Sequence, residues 1–212
     1  MSDPNDLDKC ECFEIEFKSE VSLDNCEEPE DFVTKIDGSI YFSDEFTEKR
    51  EKAGKIEASY IHIIQALNNK QDLYEVFDSS QTLLDCYEII LDDGYECFSS
   101  ALPWKDIPLR DLLYIDTVEI EKKYRGNNLG KNAVIKTAKT YGSGCSLIIL
   151  KPFPIQYSGK VGQIKKQQEK IKMKKAFADL KRYWGELGFK QLQGAEYFAF
   201  NSYDYDLPPL TW

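Results

Sequence analysis

The sequence has few of the residues on which several classes of site depend. His62 is the only histidine among 212 residues, and the six cysteines are scattered, with only Cys10 and Cys12 close together. A zinc site, which needs clustered cysteine and histidine ligands, is therefore not predicted. The same scatter favours reduced thiols and a cytoplasmic protein over a disulfide framework.

Long apolar runs and an excess of positive charge are also missing. No stretch is long enough to predict a membrane span, and the acidic start MSDPNDLDK lacks the apolar core of a signal peptide. The formal net charge of −10 argues against a nucleic-acid partner, because duplex binding depends on neutralising phosphates. The same charge is compatible with a cationic acceptor such as an amine.

Length and composition favour one globular domain. With 42% hydrophobic and 13% aromatic residues, the chain can bury a sizeable core. We expect a disordered N-terminus over 1–9, a domain over 10–201 and a peripheral tail over 202–212. We divide this domain into an N-terminal part, 10–110, whose sequence is the more divergent of the two, and a C-terminal part, 111–201, which is expected to carry the ligand site.

The first half of the chain is predicted to be mostly strands. Its alternating patterns and turn signals predict a strand at Cys10–Val21, a hairpin around Asp37-Gly38, strands at Lys55–Leu67 and Leu73–Asp78, and then a helix capped by Ser79 or Ser80. Trp104, in a proline-containing loop, either closes the edge of the core or contacts a substrate.

The stretch 112–141 organises the rest of the chain. It begins as a strand, on which alternation predicts that Tyr114, Asp116, Val118 and Ile120 share one face. It resumes as a helix from Asn128 or Leu129. Between the two lies a loop with two glycines and an arginine. The unpaired first amides of a helix carry a partial positive charge, so this loop suits a phosphate or a pyrophosphate.

A second strand is expected to run parallel to the first and to separate from it. Cys145–Leu150 is a continuous apolar run, as in a fully buried strand. Pro152 and Pro154 then remove two backbone donors from one strand edge, so pairing on that side must stop. This is either an ordinary exit from a strand or an open edge along which an extended ligand can pair.

A lysine-rich helix is predicted over Lys160–Arg182. Its stripe of apolar residues is expected to be buried, and comprises Met173, Phe177, Leu180, Trp184 and Leu187. The lysines either cover its solvated side or bind anions, such as the adenosine phosphate of coenzyme A or RNA.

Three interpretations of the loop compete. It is an ordinary strand–turn–helix, a nucleotide P-loop, or a coenzyme A loop. The P-loop spacing is one residue short, and Asn132 stands where a magnesium-binding Ser or Thr is required. YRGNNLG resembles the coenzyme A loop of the GNAT superfamily of N-acyltransferases, Arg/Gln-x-x-Gly-x-Gly/Ala. Arg125 and Gly130 match, and Asn128, which tolerates a positive φ, replaces the middle glycine.

A second element carries the same resemblance. Residues 183–189, YWGELGF, are similar to the late Tyr-x-x-x-Gly-Phe element of that superfamily, with Trp184 at the tyrosine position. The resemblance implies an α/β (α+β) fold with a mixed, mostly antiparallel twisted sheet, a central parallel strand–helix–strand unit and a splayed strand pair. It also implies acetyl-CoA as co-substrate, with no metal. The residues expected to bind it are Val118, Ile120, Arg125, Gly126, Asn127, Asn128, Leu129, Gly130 and Lys131.

The reaction implied by the resemblance is transfer of an acetyl group to an amine by direct attack. Asp116 is the expected base, with Glu119 as second choice, and Tyr183 is the candidate acid. The acceptor is a small molecule, a protein lysine or an N-terminus, and a homodimer is allowed. Two alternatives stay open: a catalytically silent module that binds acyl-CoA or a protein, and an acetyltransferase directed to RNA or the ribosome.

Overall fold

The computed structural model describes residues 11–20, 28–44, 49–92, 97–154, 167–203 and 206–210. The segment 1–9, which was predicted to be disordered, lies outside these ranges. So do the beginning of the predicted lysine-rich helix, up to residue 166, and the last two residues of the tail.

The described part of the chain contains both strands and helices. The strands are β1 (Glu11–Ser19), β2 (Val33–Asp44), β3 (Lys49–Ile61), β4 (Leu91–Asp92), β5 (Cys97–Phe98), β6 (Asp111–Ile120), β7 (Cys145–Leu150), β8 (Lys190–Gln191) and β9 (Phe198–Asn201). The helices are α1 (Ile63–Asn68), α2 (Leu73–Phe77), α3 (Gln81–Ile90), α4 (Leu129–Tyr141) and α5 (Gln167–Gly185).

Seven strands form one sheet in the order β1-β2-β3-β6-β7-β9-β8. Neighbours in this sheet pair antiparallel, except β6 and β7, which are parallel and joined through α4. The remaining two strands, β4 and β5, form a separate hairpin. The protein is therefore of the mixed α+β class with a mostly antiparallel sheet, as the sequence predicted.

Each face of the sheet has its own core. On one face, helices α1–α3 pack on Leu112 and Tyr114 of β6 and on Leu147 and Ile149 of β7. On the other, α4 packs on the residues that alternate with these, including Leu113, and Trp184 of α5 joins the same core. Because β7 is covered on both faces, all six of its residues are buried, as its continuous apolar run predicted.

The predicted hairpin at Asp37-Gly38 is wrong, because β2 runs unbroken through both residues. Gly38 serves the packing between strands instead. A Cβ at this position would lie 2.5 Å from Ile56 Cγ2 of β3 and 3.2 Å from side-chain atoms of Ile15 and Phe17 of β1. The glycine thus makes room for side chains that are distant in sequence.

Two further predictions for this half need correction. The strand expected at Lys55–Leu67 ends at Ile61, and the chain turns directly into α1. The strand expected at Leu73–Asp78 is the helix α2, which Asp72 caps by accepting a hydrogen bond from the Tyr74 amide at 2.9 Å. By contrast, the predicted cap of α3 is confirmed, since Ser80 accepts from the Leu83 amide.

The tail that was expected to be peripheral contacts the body of the protein. Leu207 packs against the core on the α4 face, and Leu210 lines a cavity together with Phe13 and Leu129. No helix in the described ranges is both long and apolar enough to cross a bilayer.

Candidate functional site

The loop between β6 and α4 has the backbone that a close-approaching ligand requires. β6 is followed by a 3-10 turn at Lys122–Tyr124, and Asn128 then enters α4 with φ 54°, in the left-handed region. Gly126 has φ 95°. The expectation that asparagine can replace glycine in this turn is confirmed for the backbone. Leu129 and Gly130, the first residues of α4, have amides with no acceptor among the described residues.

Arg125 is only partly free to bind a ligand. Its Nε donates to the carbonyl oxygen of Ile120 at 2.8 Å, which ties the loop back to the end of β6. The guanidinium is exposed and has further N–H donors to offer. The Ile120 carbonyl, however, is already paired, so the expectation that the whole Ile120 backbone is available needs correction.

A β-bulge interrupts β6 at Asp116. Glu57 of β3 pairs with Thr117, and the next residue, Ala58, pairs with Ile115, so Asp116 is an extra residue with no partner on β3. The bulge shifts the alternation by one residue. Val118 and Ile120 therefore pack with the α4 core, whereas Tyr114 lies in the core under α1–α3. The prediction that Tyr114, Asp116, Val118 and Ile120 share one face is wrong for this reason.

Within the described part of the chain, no strand pairs with the second half of β6 on the side of β7. The parallel pairing with β7 ends at Ile115 and Leu150, and the proline-containing residues 151–154 that follow have no strand structure. On the opposite edge, the Glu121 amide donates to the Ala53 carbonyl at 2.8 Å. Because backbone groups alternate in direction along a strand, those of Val118 point to the edge that β7 has left.

A cavity of about 460 Å³ connects this edge to the loop. A second chamber, of about 200 Å³, lies further along β6 and includes Asp116. The two share Val118, Phe153, Leu180 and Trp184 and therefore adjoin. Together they extend from the α4 N-terminus to the bulge. The larger one is lined by Val118, Glu119, Ile120, Tyr124, Arg125, Gly126, Asn128, Leu129, Gly130, Phe153, Pro154, Ala176, Asp179, Leu180, Tyr183 and Trp184.

Asp116 stands at the solvent end of the smaller chamber. Its side chain is exposed, yet partial removal of water raises the pKa of this carboxyl above its ordinary value. Lys35 opposes that shift in pKa, and Glu57 reinforces it. A carboxylate that is easier to protonate than usual is a better proton acceptor, which suits the predicted base.

Tyr183 lies at the loop. Its hydroxyl accepts a hydrogen bond from the Lys131 amide at 2.9 Å, within the first turn of α4. It lines the larger chamber, whereas Asp116 lines only the smaller one, and the buried side chain of Trp184 borders both. Tyr183, the predicted acid, thus lies at the start of α4 and does not line the chamber that includes Asp116, the predicted base.

Lys131 is engaged by α5. Its ammonium pairs with the Glu186 carboxylate and lies 4.6 Å from the centre of the Tyr183 ring. Only 12% of the lysine side chain is exposed. The side chain thus connects the start of α4 to Tyr183 of α5 and to the residue that follows α5.

The predicted apolar stripe of α5 is only partly buried. Trp184 and Leu187 are buried, but Met173, Phe177 and Leu180 are half-exposed. Of these, Leu180 lines the cavity, and Phe177 packs edge-on against Phe153, which lines it as well. The described lysines Lys170, Lys172, Lys174 and Lys175 are exposed, as expected for a solvated face.

Sequence reasoning missed residues that line the cavity from other elements. Phe153 and Pro154, which follow β7, line the larger chamber, and the prolines were the available signal. His62 is half-buried outside both chambers and hydrogen-bonds Thr34 Oγ1 at 2.8 Å. Trp104 packs against the core under α1–α3, as the core-edge alternative predicted.

The described part of the chain contains no group of three or more histidine, cysteine or carboxylate side chains placed to hold a metal. No protein-family model matches the chain, and no curated protein matches its sequence.

Proposed function

We propose that the protein is an acyl-CoA-dependent N-acyltransferase of the GNAT type, which transfers an acetyl group to an amine. One observation carries this proposal. The unpaired amides at the start of α4 open into a cavity that follows the free edge of β6 to a carboxylate. Acyl-CoA has parts that match this arrangement: an anion for one end of the cavity, an amide-containing arm for the strand edge and a thioester for the other end.

Each part of the cofactor has a partner in this arrangement. The pyrophosphate accepts hydrogen bonds from Leu129 and Gly130, and the exposed guanidinium of Arg125 adds charge. Gly126, Asn127 and Asn128 supply the turn that brings the backbone close. The pantetheine arm pairs with the backbone of Val118 as an added strand. The acyl group then reaches the smaller chamber.

Asp116 acts as the base in the proposed reaction. The ammonium form of a primary amine, with a pKa near ~10.4, cannot attack, so a proton must leave first. Asp116 accepts this proton directly or through a water molecule. The amine nitrogen then bonds to the thioester carbon, and backbone amides of β6 stabilise the oxyanion. Collapse breaks the carbon–sulfur bond, the attacking nitrogen gives up its second proton to water, and the products are an amide and coenzyme A thiolate.

A dedicated acid is not required for that last step. The pKa of an alkyl thiol is ~8.5, so the thiolate is a far better leaving group than an amine or an alkoxide. It can take a proton from water after it departs. The reaction therefore does not depend on Tyr183, nor on a tyrosine at the position of Trp184.

Ligand binding tests the proposal first. A ligand present at 100 times its Kd adds about 2.7 kcal/mol of stability. For a chain of this size that raises the melting temperature by about 5 to 10 °C. Coenzyme A should give this shift and ATP should not. The Gly130→Trp variant should lose it, because the added side chain fills the space before Tyr183. An equal shift with ATP contradicts the proposal.

A catalytically silent acyl-CoA-binding module is the second candidate. It is favoured by Trp184, which occupies the position of the superfamily's tyrosine. Release of coenzyme A thiol from acetyl-CoA distinguishes the two, measured with a panel of a polyamine, free amino acids and a lysine peptide. Amine-dependent release supports the enzyme, whereas tight binding without release supports the module.

Acetylation directed to RNA or the ribosome is a third candidate. The observation that favours it is the row of exposed lysines on α5. RNA binding that weakens as salt is raised would support it, and negligible binding at low salt would remove it.

A further inference from the structure

We propose that the Tyr183 hydroxyl belongs to the anion-binding site, where it accepts the Lys131 amide and donates its own proton to the diphosphate of the ligand. This inference rests on the proposed function. It makes Tyr183 a binding residue, and it extends the donor set of the α4 N-terminus by one group that comes from α5.

The position of the hydroxyl supports this role. It lies 2.9 Å from the Lys131 nitrogen and 2.8 Å from the point where a Cβ on Gly130 would stand. It is therefore next to the two amides that have no acceptor, those of Leu129 and Gly130. A tyrosine oxygen that accepts one bond still has a proton to donate, and no acceptor for it is present among the described residues.

The proton remains on the oxygen at physiological pH. Burial raises the pKa of Tyr183 above its ordinary value, and the bond from Lys131 only partly offsets this. A neutral phenol can donate to an anion, whereas a phenolate would repel it. Polarisation adds to the effect, because a hydroxyl that accepts from a helix amide is a stronger donor in turn.

The ring is held in place by its neighbours. Trp184 packs edge-on at 4.8 Å between ring centres, and the Lys131 ammonium lies against the ring. The carboxylate of Glu186, the residue that follows α5, pairs with that ammonium. A phenol fixed in this way can offer its proton in one direction without first being ordered.

Binding measured with three probes separates the diphosphate from the rest of the ligand. The probes are coenzyme A, inorganic pyrophosphate and pantetheine, which lacks phosphate. In the Tyr183→Phe variant, loss of one hydrogen bond to a charged group should weaken coenzyme A and pyrophosphate binding about tenfold to a hundredfold. Pantetheine binding should be unchanged. The control is Tyr124→Phe, which lines the same chamber but directs its hydroxyl to Glu51.

Kinetics distinguish binding from proton transfer. With an accepted amine, Tyr183→Phe should raise the KM for acetyl-CoA and leave kcat and its pH profile as in the unmodified protein. A fall in kcat at constant KM overturns the inference in favour of an acid. Tighter coenzyme A binding by the variant also overturns it, because the hydroxyl would then be blocking the Lys131 amide.

The two proposals fail differently. If the unmodified protein binds coenzyme A and Tyr183→Phe binds it equally well, only the role of Tyr183 is refuted. If the unmodified protein binds neither coenzyme A nor pyrophosphate, the proposed function and this inference both fail.

Discussion

The contact between Gly130 and Tyr183 makes a prediction that does not depend on any ligand. In the unmodified protein, a Cβ at residue 130 would lie 2.8 Å from the Tyr183 oxygen, so the ring must move. Movement breaks the bond to the Lys131 amide, worth about 1 kcal/mol, and crowding costs about 1 to 3 kcal/mol more. Alanine returns up to about 1 kcal/mol of helix propensity. Gly130→Ala should therefore destabilise the protein by about 1 to 3 kcal/mol.

The same substitution should have the opposite sign when the hydroxyl is absent. In a Tyr183→Phe background, the nearest atoms to the new methyl group are Val118 Cγ1 at 3.7 Å and the ring carbon Cζ at 3.8 Å, which are ordinary contacts. Only the gain in helix propensity remains, so Gly130→Ala should be neutral or stabilising by up to about 1 kcal/mol.

Urea unfolding of the four proteins, followed by circular dichroism, measures this double-mutant cycle. The gain in helix propensity is common to both backgrounds and cancels, so we expect a coupling energy of about 2 to 4 kcal/mol between the two positions. If Gly130→Ala costs the same in both backgrounds, the hydroxyl does not lie against the start of α4, and the inference about Tyr183 loses its geometric basis.

Three further predictions test separate parts of the structure. Asp116→Asn should keep coenzyme A affinity but slow amine-dependent thiol release by about 10² to 10⁴, whereas the control Glu119→Gln should not; equal rates would exclude Asp116 as the base. The raised pKa of Asp116 means that folding disfavours its ionised form relative to the unfolded chain. At neutral pH, the Asp116→Asn variant should therefore have a melting temperature no lower than that of the unmodified protein. Gly126→Ala should cost about 1 to 2 kcal/mol from backbone strain alone, since φ is 95° and the space around it is open; an unchanged urea midpoint would contradict this. Hydrogen bonds, that from Lys123 first, lower the pKa of Glu51 to about 2. The contribution of Glu51 to stability is therefore fully present above the unfolded pKa of ~4.3 and is lost as the pH falls from there to about 2. Glu51→Gln should accordingly flatten the pH dependence of the melting temperature in that interval.

The parts of the fold that local chemistry determines could be predicted from the sequence. The start of α4 follows from one residue that accepts a left-handed backbone, and φ at Asn128 is 54°. The cap of α3 follows from Ser80, whose side chain accepts from the Leu83 amide. The end of the β6–β7 pairing follows from prolines that cannot donate. In each case the deciding interaction lies within a few residues of its cause.

Errors arose where distant residues decide the structure. Gly38 resembles a turn signal, but it is glycine because Ile56 of β3 and Phe17 of β1 fill the space above it. The segment at residue 73 is short enough to be either strand or helix, and burial of Phe77 under the sheet requires the helix. The position of Tyr183 depends on how α5 packs on α4, for which the sequence contains no local signal.

The bulge at Asp116 explains how one strand can place a carboxylate near solvent and also place apolar side chains in the cavity. With regular alternation, Val118 would follow Tyr114 toward α1–α3, and the polar residues Thr117 and Glu119 would face α4 and α5. One inserted residue reverses this, so that Val118 lines the cavity and packs with the α4 core. Asp116 is left where it keeps access to water while adjoining the chamber. In the proposed reaction, an amine that approaches from solvent and a thioester that lies in the cavity would therefore meet at Asp116, the bulged residue of β6.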